Sequence, residues 1–252
     1  MIKLKFTGVG SAFNPTLYNT SCYYIEANKM LLIDCGADTF RRLHELCVLD
    51  RVSDIYVCIT HTHQDHIGSL GTLIAYCSFV SNKNITLILQ TDEVYRQQIF
   101  DTLSLAGVRK DIDYKVQNHL RNTFDSIFNV SFFNVSHNNF LKSKGYVFYL
   151  NSNEKFIYSG DSNDIQTILH HCHDVGRYKF VQAFIDCNID KISKYNDMKP
   201  HEYLSDLTKY IPKNRRKFFT TMHYDNYKCR TKASEYGFNI VYHCTEFEST
   251  LE

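Results

Sequence analysis

Between Val57 and Gly68 the chain reads VCITHTHQDHIG, so an apolar, strand-like run opens directly onto three histidines and an aspartate within six residues. Imidazoles at that density make a poor core, because each buried ring nitrogen needs a partner. They make a good cation site. Zinc and similar ions take neutral imidazole nitrogen and carboxylate oxygen, and the donors must converge within about 2.0–2.2 Å of the metal. In an extended segment residues two apart point to the same side, so His61 and His63 can reach one ion together. Asp65 and His66 fall where the chain turns into a helix and can address a second ion nearby, while Gly68 lets the helix start pack closely. H-x-H-x-D-H beyond a buried strand thus constrains fold and chemistry together: strand before, helix after, metal between.

The rest of the chain supplies strands and helices to match. Period-2 patterns mark IKLKFTG, SCYYIEA and KMLLIDC as strands, the latter two joined by a hairpin turn within EANKM. Asp38 is placed to cap a helix through TFRRLHELCV, with Phe40, Leu43 and Cys47 on one side. DIYVCIT leads into the histidines, GSLGTLIAYCSF reads as a helix, and ITLILQ and TDEVYRQQIFDTL follow as strand and helix. The middle is strand-rich (DYKVQ, NVSFFNV, YVFYLN, KFIYSG), with a turn at Ser152 and Asn153 between the last two. From Asn163 helices and strands alternate through DIQTILHHCH, FVQAFIDC, HEYLSDLTKYI, RKFFTT, CRTKASEYG and NIVYH. No residue-level repeat or linker interrupts this order, although both halves run strand-rich then helical. The expectation is a single α/β domain over 1–252, with two sheets between helices.

Composition narrows the function. A formal net charge of +1 with 22% charged residues gives no hint of a polyanion-binding surface or a basic tail. Nine cysteines, an odd number with no C-x-x-C pair, argue for reduced thiols in a cytosol-like compartment. The N-terminus MIKLKFTGVG alternates like a strand and has no signal-peptide pattern, and the stretch GTLIAYCSFV is too short and polar to span a bilayer. No membrane partner is expected.

Four further positions follow apolar runs as the histidine cluster does: Asp34 in LLIDCG, His137 in NVSHNN, Asp161 in YSGDS and His223 in TTMHYD. In this order the motifs resemble the metallo-β-lactamase superfamily, in its ribonuclease Z-like phosphodiesterase branch, over nearly the whole chain. The resemblance implies the four-layer αββα fold of that superfamily. It implies that His61, His63 and His137 bind one divalent metal, that Asp65, His66 and His223 bind another, and that Asp161 bridges the two. Zinc is the expected metal, with manganese compatible with the same donors. Asp34 would orient a ligand imidazole through its free N–H. His201, in MKPHEYLSDL after the disordered-looking stretch NIDKISKYNDMKP, lies where a family histidine protonates the leaving alkoxide. Asp186, ending VQAFIDCN, resembles the acid that orients it. Asp65, His201 and Asp186 are accordingly the expected catalytic residues. The HHCHD cluster at His170–Asp174 reads as a solvated helix end, since only His170 and His173 share a face.

Two divalent ions, two ligand aspartates and a bridging hydroxide leave one positive charge, which matches a phosphodiester. GVGSAF and YNTSC resemble transfer-RNA 3′-processing nucleases of the ribonuclease Z type. Those enzymes grip transfer RNA with a long arm, commonly inserted between the motifs matching His137 and Asp161, where only 23 residues lie here. A glyoxalase II-type thioester hydrolase shares H-x-H-x-D-H, but the His201–Asp186 pair and the GSAF start argue against it. A non-catalytic binding module fits least, because no ligand position is missing. The chain is most similar to the anti-Pycsar family of short, ribonuclease Z-like phage and bacterial proteins that open 3′,5′-cyclic mononucleotides, removing the cyclic CMP and cyclic UMP signals of an antiphage defence. That resemblance implies a small cyclic-nucleotide substrate, no stable nucleic-acid complex, a homodimer and a cytoplasmic location.

Overall fold

Twelve apolar runs become strands, and they sort into two six-stranded sheets, seen in a computed structural model that describes residues 2–137, 140–189 and 201–244. The contacts divide the chain into two units, one running to Leu120 and including the segment from Tyr242, the other Arg121–Val241.

The first unit holds β1 (Lys5–Gly8), β2 (Ser21–Glu26), β3 (Lys29–Ile33), β4 (Asp54–Cys58), β5 (Asn84–Ile88) and β6 (Lys115–Gln117), paired in that order. β1, β2 and β3 are antiparallel neighbours, and β3 to β6 are parallel. The β2–β3 hairpin turns at Ala27, whose φ of 53° supplies the left-handed residue a two-residue turn needs. Met30, Leu31, Leu32 and Ile33 are all fully buried, so β3 is covered on both faces, and its run of apolar residues is that of a central strand rather than an alternating one. Each such side chain contributes about 1.5–3 kcal/mol relative to exposure. The helices are α1 (Thr39–Glu45), α2 (Gln64–Ile67), α3 (Leu70–Tyr76) and α4 (Glu93–Leu105).

α1 departs from expectation. Asp38 occupies the N-cap position in a helical conformation and its side chain makes no capping bond; its own N–H donates to Asn19 Oδ1 at 3.2 Å. The helix stops at Glu45, and Cys47, at φ 50°, is exposed instead of joining Leu43. Leu46, three residues after Leu43, takes the core position.

The second unit holds β7 (Ile127–Val135), β8 (Ser143–Leu150), β9 (Glu154–Tyr158), β10 (Lys179–Asp186), β11 (Phe219–Met222) and β12 (Asn239–Ile240), with α5 (Ile165–His171), α6 (Leu204–Tyr210) and α7 (Tyr227–Glu235). Its pairing repeats that of the first unit: β7, β8 and β9 antiparallel in turn, then β9 to β12 parallel. The repetition invisible in the residues is therefore present in the strand order. In each unit the third and fourth strands lead to residues singled out from the sequence, and β11 leads to another. Most of the stretch NIDKISKYNDMKP, residues 190–200, lies outside the described residues.

Candidate metal centre

In the first unit the donors stand at the carboxyl ends of β3 and β4, the usual location of sites in open α/β sheets. Pairing Ile33 with Cys58 sets the two strand ends level, so Asp34 leaves β3 beside Ile59 and one residue short of Thr60. Asp34 turns off the strand with φ 63°, a conformation that Asp tolerates better than most residues. The loop after it is laced to the histidine segment: Cys35 N–H donates to the His66 carbonyl at 2.7 Å and Ala37 N–H to the Gln64 carbonyl at 3.0 Å. Gly36 is required there, since a Cβ would sit 2.1 Å from the Asp65 carbonyl oxygen.

The Asp34 carboxylate is fully buried and receives the Thr60 N–H at 2.7 Å and the Thr60 hydroxyl at 2.9 Å. Its Oδ2 also lies 2.9 Å from His66 Nδ1. A carboxylate only accepts, so His66 carries its hydrogen on Nδ1 and presents the lone pair of Nε2. That Nε2 is 3.3 Å from Asp65 Oδ2. Two donors on one tetrahedral ion at about 2.1 Å are separated by ~3.4 Å, so this spacing suits a shared cation. His61 Nε2 and His63 Nδ1 are 2.9 Å apart, with His61 buried and His63 half-buried. Burial pushes the Asp34 carboxyl up, while His66 and Thr60 pull it back down.

The second unit gathers its own donors around one carboxylate. Gly160, at φ 60°, turns the chain out of β9 and delivers Asp161. Asp161 Oδ2 lies 3.3 Å from His223 Nε2 and 3.8 Å from both His137 Nε2 and His201 Nδ1. The rings of His137 and His223 stand 5.2 and 5.1 Å from that of His201. His223 itself is held at φ 62°, a left-handed conformation that costs a non-glycine residue energy and recurs at functional sites. His137, Asp161 and His201 form one group able to hold a cation, and Asp186, His201 and His223 another. All are oxygen or imidazole nitrogen, and all but His201 are buried. The donor chemistry and the 3.3–3.8 Å spacing fit a divalent ion.

His201, like His66, has its Nδ1 against a buried carboxylate. Its Nδ1 lies 2.7 Å from Asp186 Oδ2, and Asp186 is fully buried at the end of β10. The same Oδ2 takes the Ser162 N–H at 3.2 Å, while Oδ1 has no hydrogen-bond partner among the described residues. Burial raises the Asp186 carboxyl, against the pull of His201. Burial works to lower the His201 imidazolium, but Asp186 first, then Asp161 and Asp225, outweigh it and raise the group. The neighbouring carboxylates thus favour the protonated imidazole.

Three supporting residues escaped the sequence reading. Thr60 binds both Asp34 oxygens and touches His61 Nδ1 at 3.1 Å. Tyr95, buried in α4, donates its hydroxyl to the Ile59 carbonyl, directly before the histidine segment. Glu202, fully buried beside His201, accepts the Ile165 N–H at 2.6 Å and so fixes the His201 loop to the start of α5. Only adjacency to the motifs could have flagged Thr60 and Glu202; nothing in the sequence flags Tyr95. The HHCHD cluster is as expected: His170 and His173 are exposed, and His171 stacks on Phe133 with centroids 4.2 Å apart. All nine cysteines are free thiols and seven are buried, as reduced residues outside any metal site would be.

Among solved structures, the metallo-β-lactamase fold protein YhfI from Bacillus subtilis matches over 96% of this chain and 96% of its own, with a TM-score of 0.67 and 12% identity. Human tRNase Z, short form, matches over 96% of this chain and 97% of its own, with a TM-score of 0.63 and 17% identity. At such identities the likeness defines the architecture: this is a protein of the metallo-β-lactamase fold. The family model described as Anti-Pycsar protein Apyc1 matches residues 2–245, and the chain belongs to that family. One relative, the Anti-Pycsar protein Apyc1 of Bacillus phage vB_BsuM-Goe3, is 28% identical over 250 residues, covering 88% of each chain. No helix among the described residues is long and apolar enough to cross a membrane.

Proposed function

We propose that this protein is a metal-dependent phosphodiesterase that hydrolyses 3′,5′-cyclic mononucleotides, cyclic CMP and cyclic UMP included, to 5′-monophosphates, and thereby counters a bacterial cyclic-nucleotide defence against phage. The observation that carries the reading is His201 held 2.7 Å from the buried Asp186 and standing beside Asp161 in a member of the Anti-Pycsar family. In the proposed assignment His61, His63 and His137 hold one divalent ion, Asp65, His66 and His223 the other, and Asp161 both. Zinc fits these donors best. Such ions lower the pKa of water and offset charge on phosphoryl oxygens.

The chain's own residues do the rest. Asp34 fixes the His66 tautomer. Asp186 keeps His201 charged and oriented, and His201 gives its proton to the departing 3′ oxygen, a poor leaving group unless protonated. β8 and β9 take up Ser143–Leu150 and Glu154–Tyr158 of the 23 residues between His137 and Asp161, which supports a small substrate over a transfer-RNA arm there. A homodimer in the cytoplasm completes the proposal.

The test is to incubate the purified, metal-loaded protein with a panel of cyclic nucleotides, a pre-transfer RNA and a glutathione thioester. Turnover of several cyclic nucleotides supports the reading; trailer release from pre-transfer RNA with cyclic nucleotides untouched replaces it with a nuclease.

A further inference from the structure

The whole-chain charge of +1 conceals a strong local imbalance. Over α6, the turn after it and α7, residues 204–235, there are eight lysines and arginines and three acids, Asp206, Asp225 and Glu235. Asp225 is engaged by the Asn188 side-chain amide. The rest of the chain is correspondingly net acidic, so the cations are concentrated in one part of the second unit.

The fold gathers them. Arg216 acts as a staple: its Nε donates to the Ile211 carbonyl at 3.0 Å, Nη2 to Thr208 at 2.9 Å and Nη1 to Tyr236 at 2.8 Å. These bonds hold the 3₁₀ turn Lys213–Phe218 against the ends of α6 and α7, and Asn239 adds a bond to the Lys217 carbonyl at 2.7 Å. With Arg216 spent on structure, Lys209, Lys213, Arg215, Lys217, Lys228 and Lys232 remain exposed around it.

Aromatic rings are interleaved with these cations. Tyr210, Phe218, Tyr227 and Tyr236 are 37–48% exposed, a large amount for rings on a folded surface. Three carry a cation over the ring: Lys209 at 4.8 Å from Tyr210, Lys217 at 5.2 Å from Phe218 and Arg230 at 5.0 Å from Tyr227. Alternating cations and exposed rings match a partner with regular negative charge and planar groups. Single-stranded nucleic acid has both; in a duplex the base faces are already stacked, and an acidic peptide lacks the rings.

We propose that the surface formed by the end of α6, the Lys213–Phe218 turn and α7 binds single-stranded nucleic acid without sequence preference. Lysines and arginines take the phosphates, and Phe218 with Tyr210 and Tyr227 offers faces to bases. None of these residues is a metal donor, so the inference is tested apart from the phosphodiesterase reading.

Fluorescence anisotropy with labelled oligouridylate, oligodeoxythymidylate and a duplex of matched length tests it, since the first two separate RNA from DNA and the third isolates stacking. Both single strands should bind more tightly than the duplex, in chelator-treated protein as well. Contact with three phosphates predicts roughly twenty-fold weakening between 50 and 200 mM salt. The triple variant Lys213→Glu, Arg215→Glu, Lys217→Glu should lose binding and most of the salt dependence, while keeping turnover of a nitrophenyl phosphodiester. Phe218→Ala should weaken binding at least about fivefold with the salt slope unchanged. Circular dichroism establishes that each variant folds, and a triple Gln variant replaces the Glu one if it does not. No binding at 50 mM salt, undiminished binding by the triple variant, or binding to anionic vesicles in place of the oligonucleotides would overturn the proposal.

Discussion

Asp186 Oδ2 stands 2.7 Å from His201 Nδ1, joining the end of a parallel strand to a loop fifteen residues further along the chain. The fully buried carboxylate aims the imidazole, as Asp34 does for His66, and together with Asp161 and Asp225 it raises the His201 group.

Removing the imidazole should therefore harm difficult leaving groups most. His201→Ala is expected to lose about 10²–10⁴-fold in turnover of a nucleotide diester and far less on a nitrophenyl diester, whose leaving group needs no proton. Steady-state kinetics on the two substrates decides it. Equal losses on both would assign His201 to structure or positioning.

The same pair gives a pH signature in metal-free protein. The folded His201 value is raised to about 10, from an unfolded value near 6.5. Folded protein thus holds the proton more tightly, and the stabilisation is complete below about pH 6.5 and lost as pH climbs through about 10. Thermal melts of the wild type and His201→Gln should differ most at the acid end of that window and converge at its alkaline end. A difference that grew with pH would contradict the assignment.

Asp34 tests the ligand-orienting bond. Asp34→Asn keeps the shape but places an amide against His66 Nδ1, 2.9 Å away, and weakens the hold on its tautomer. Metal affinity measured by chelator competition should fall about 10–100-fold. Replacing His61 and His63 together by Ala should reduce the metal content below the two ions per chain expected of the intact protein, with far-ultraviolet circular dichroism unchanged.

The histidine motif was readable because its spacing alone carries chemistry: residues two apart in an extended chain face one way. The strand runs around it were readable for the same kind of reason, since KMLLI and VCI can only be interior. What could not be read depends on how strands are paired. Thr60 meets both Asp34 oxygens only because Ile33 lies opposite Cys58, and Glu202 reaches Ile165 across 37 residues of chain. Asp38 shows the converse limit: the residue type and position were those of a cap, but its backbone is helical and its side chain makes no capping bond.

Gly36 offers a stability test of the same packing. Gly36→Ala places a methyl 2.1 Å from the Asp65 carbonyl oxygen, a backbone atom that cannot swing aside. A loss of about 1–3 kcal/mol is expected. Urea unfolding measures it, and a wild-type midpoint would mean that the loop after β3 does not pack on the metal motif.

The central claim is the bond that breaks. Purified protein loaded with zinc, given 3′,5′-cyclic CMP and followed by chromatography, should yield 5′-CMP, with activity lost on chelation and restored by metal. A 3′-monophosphate product would reverse the leaving group assigned to His201, and cyclic CMP recovered intact beside cleaved pre-transfer RNA would contradict the account altogether.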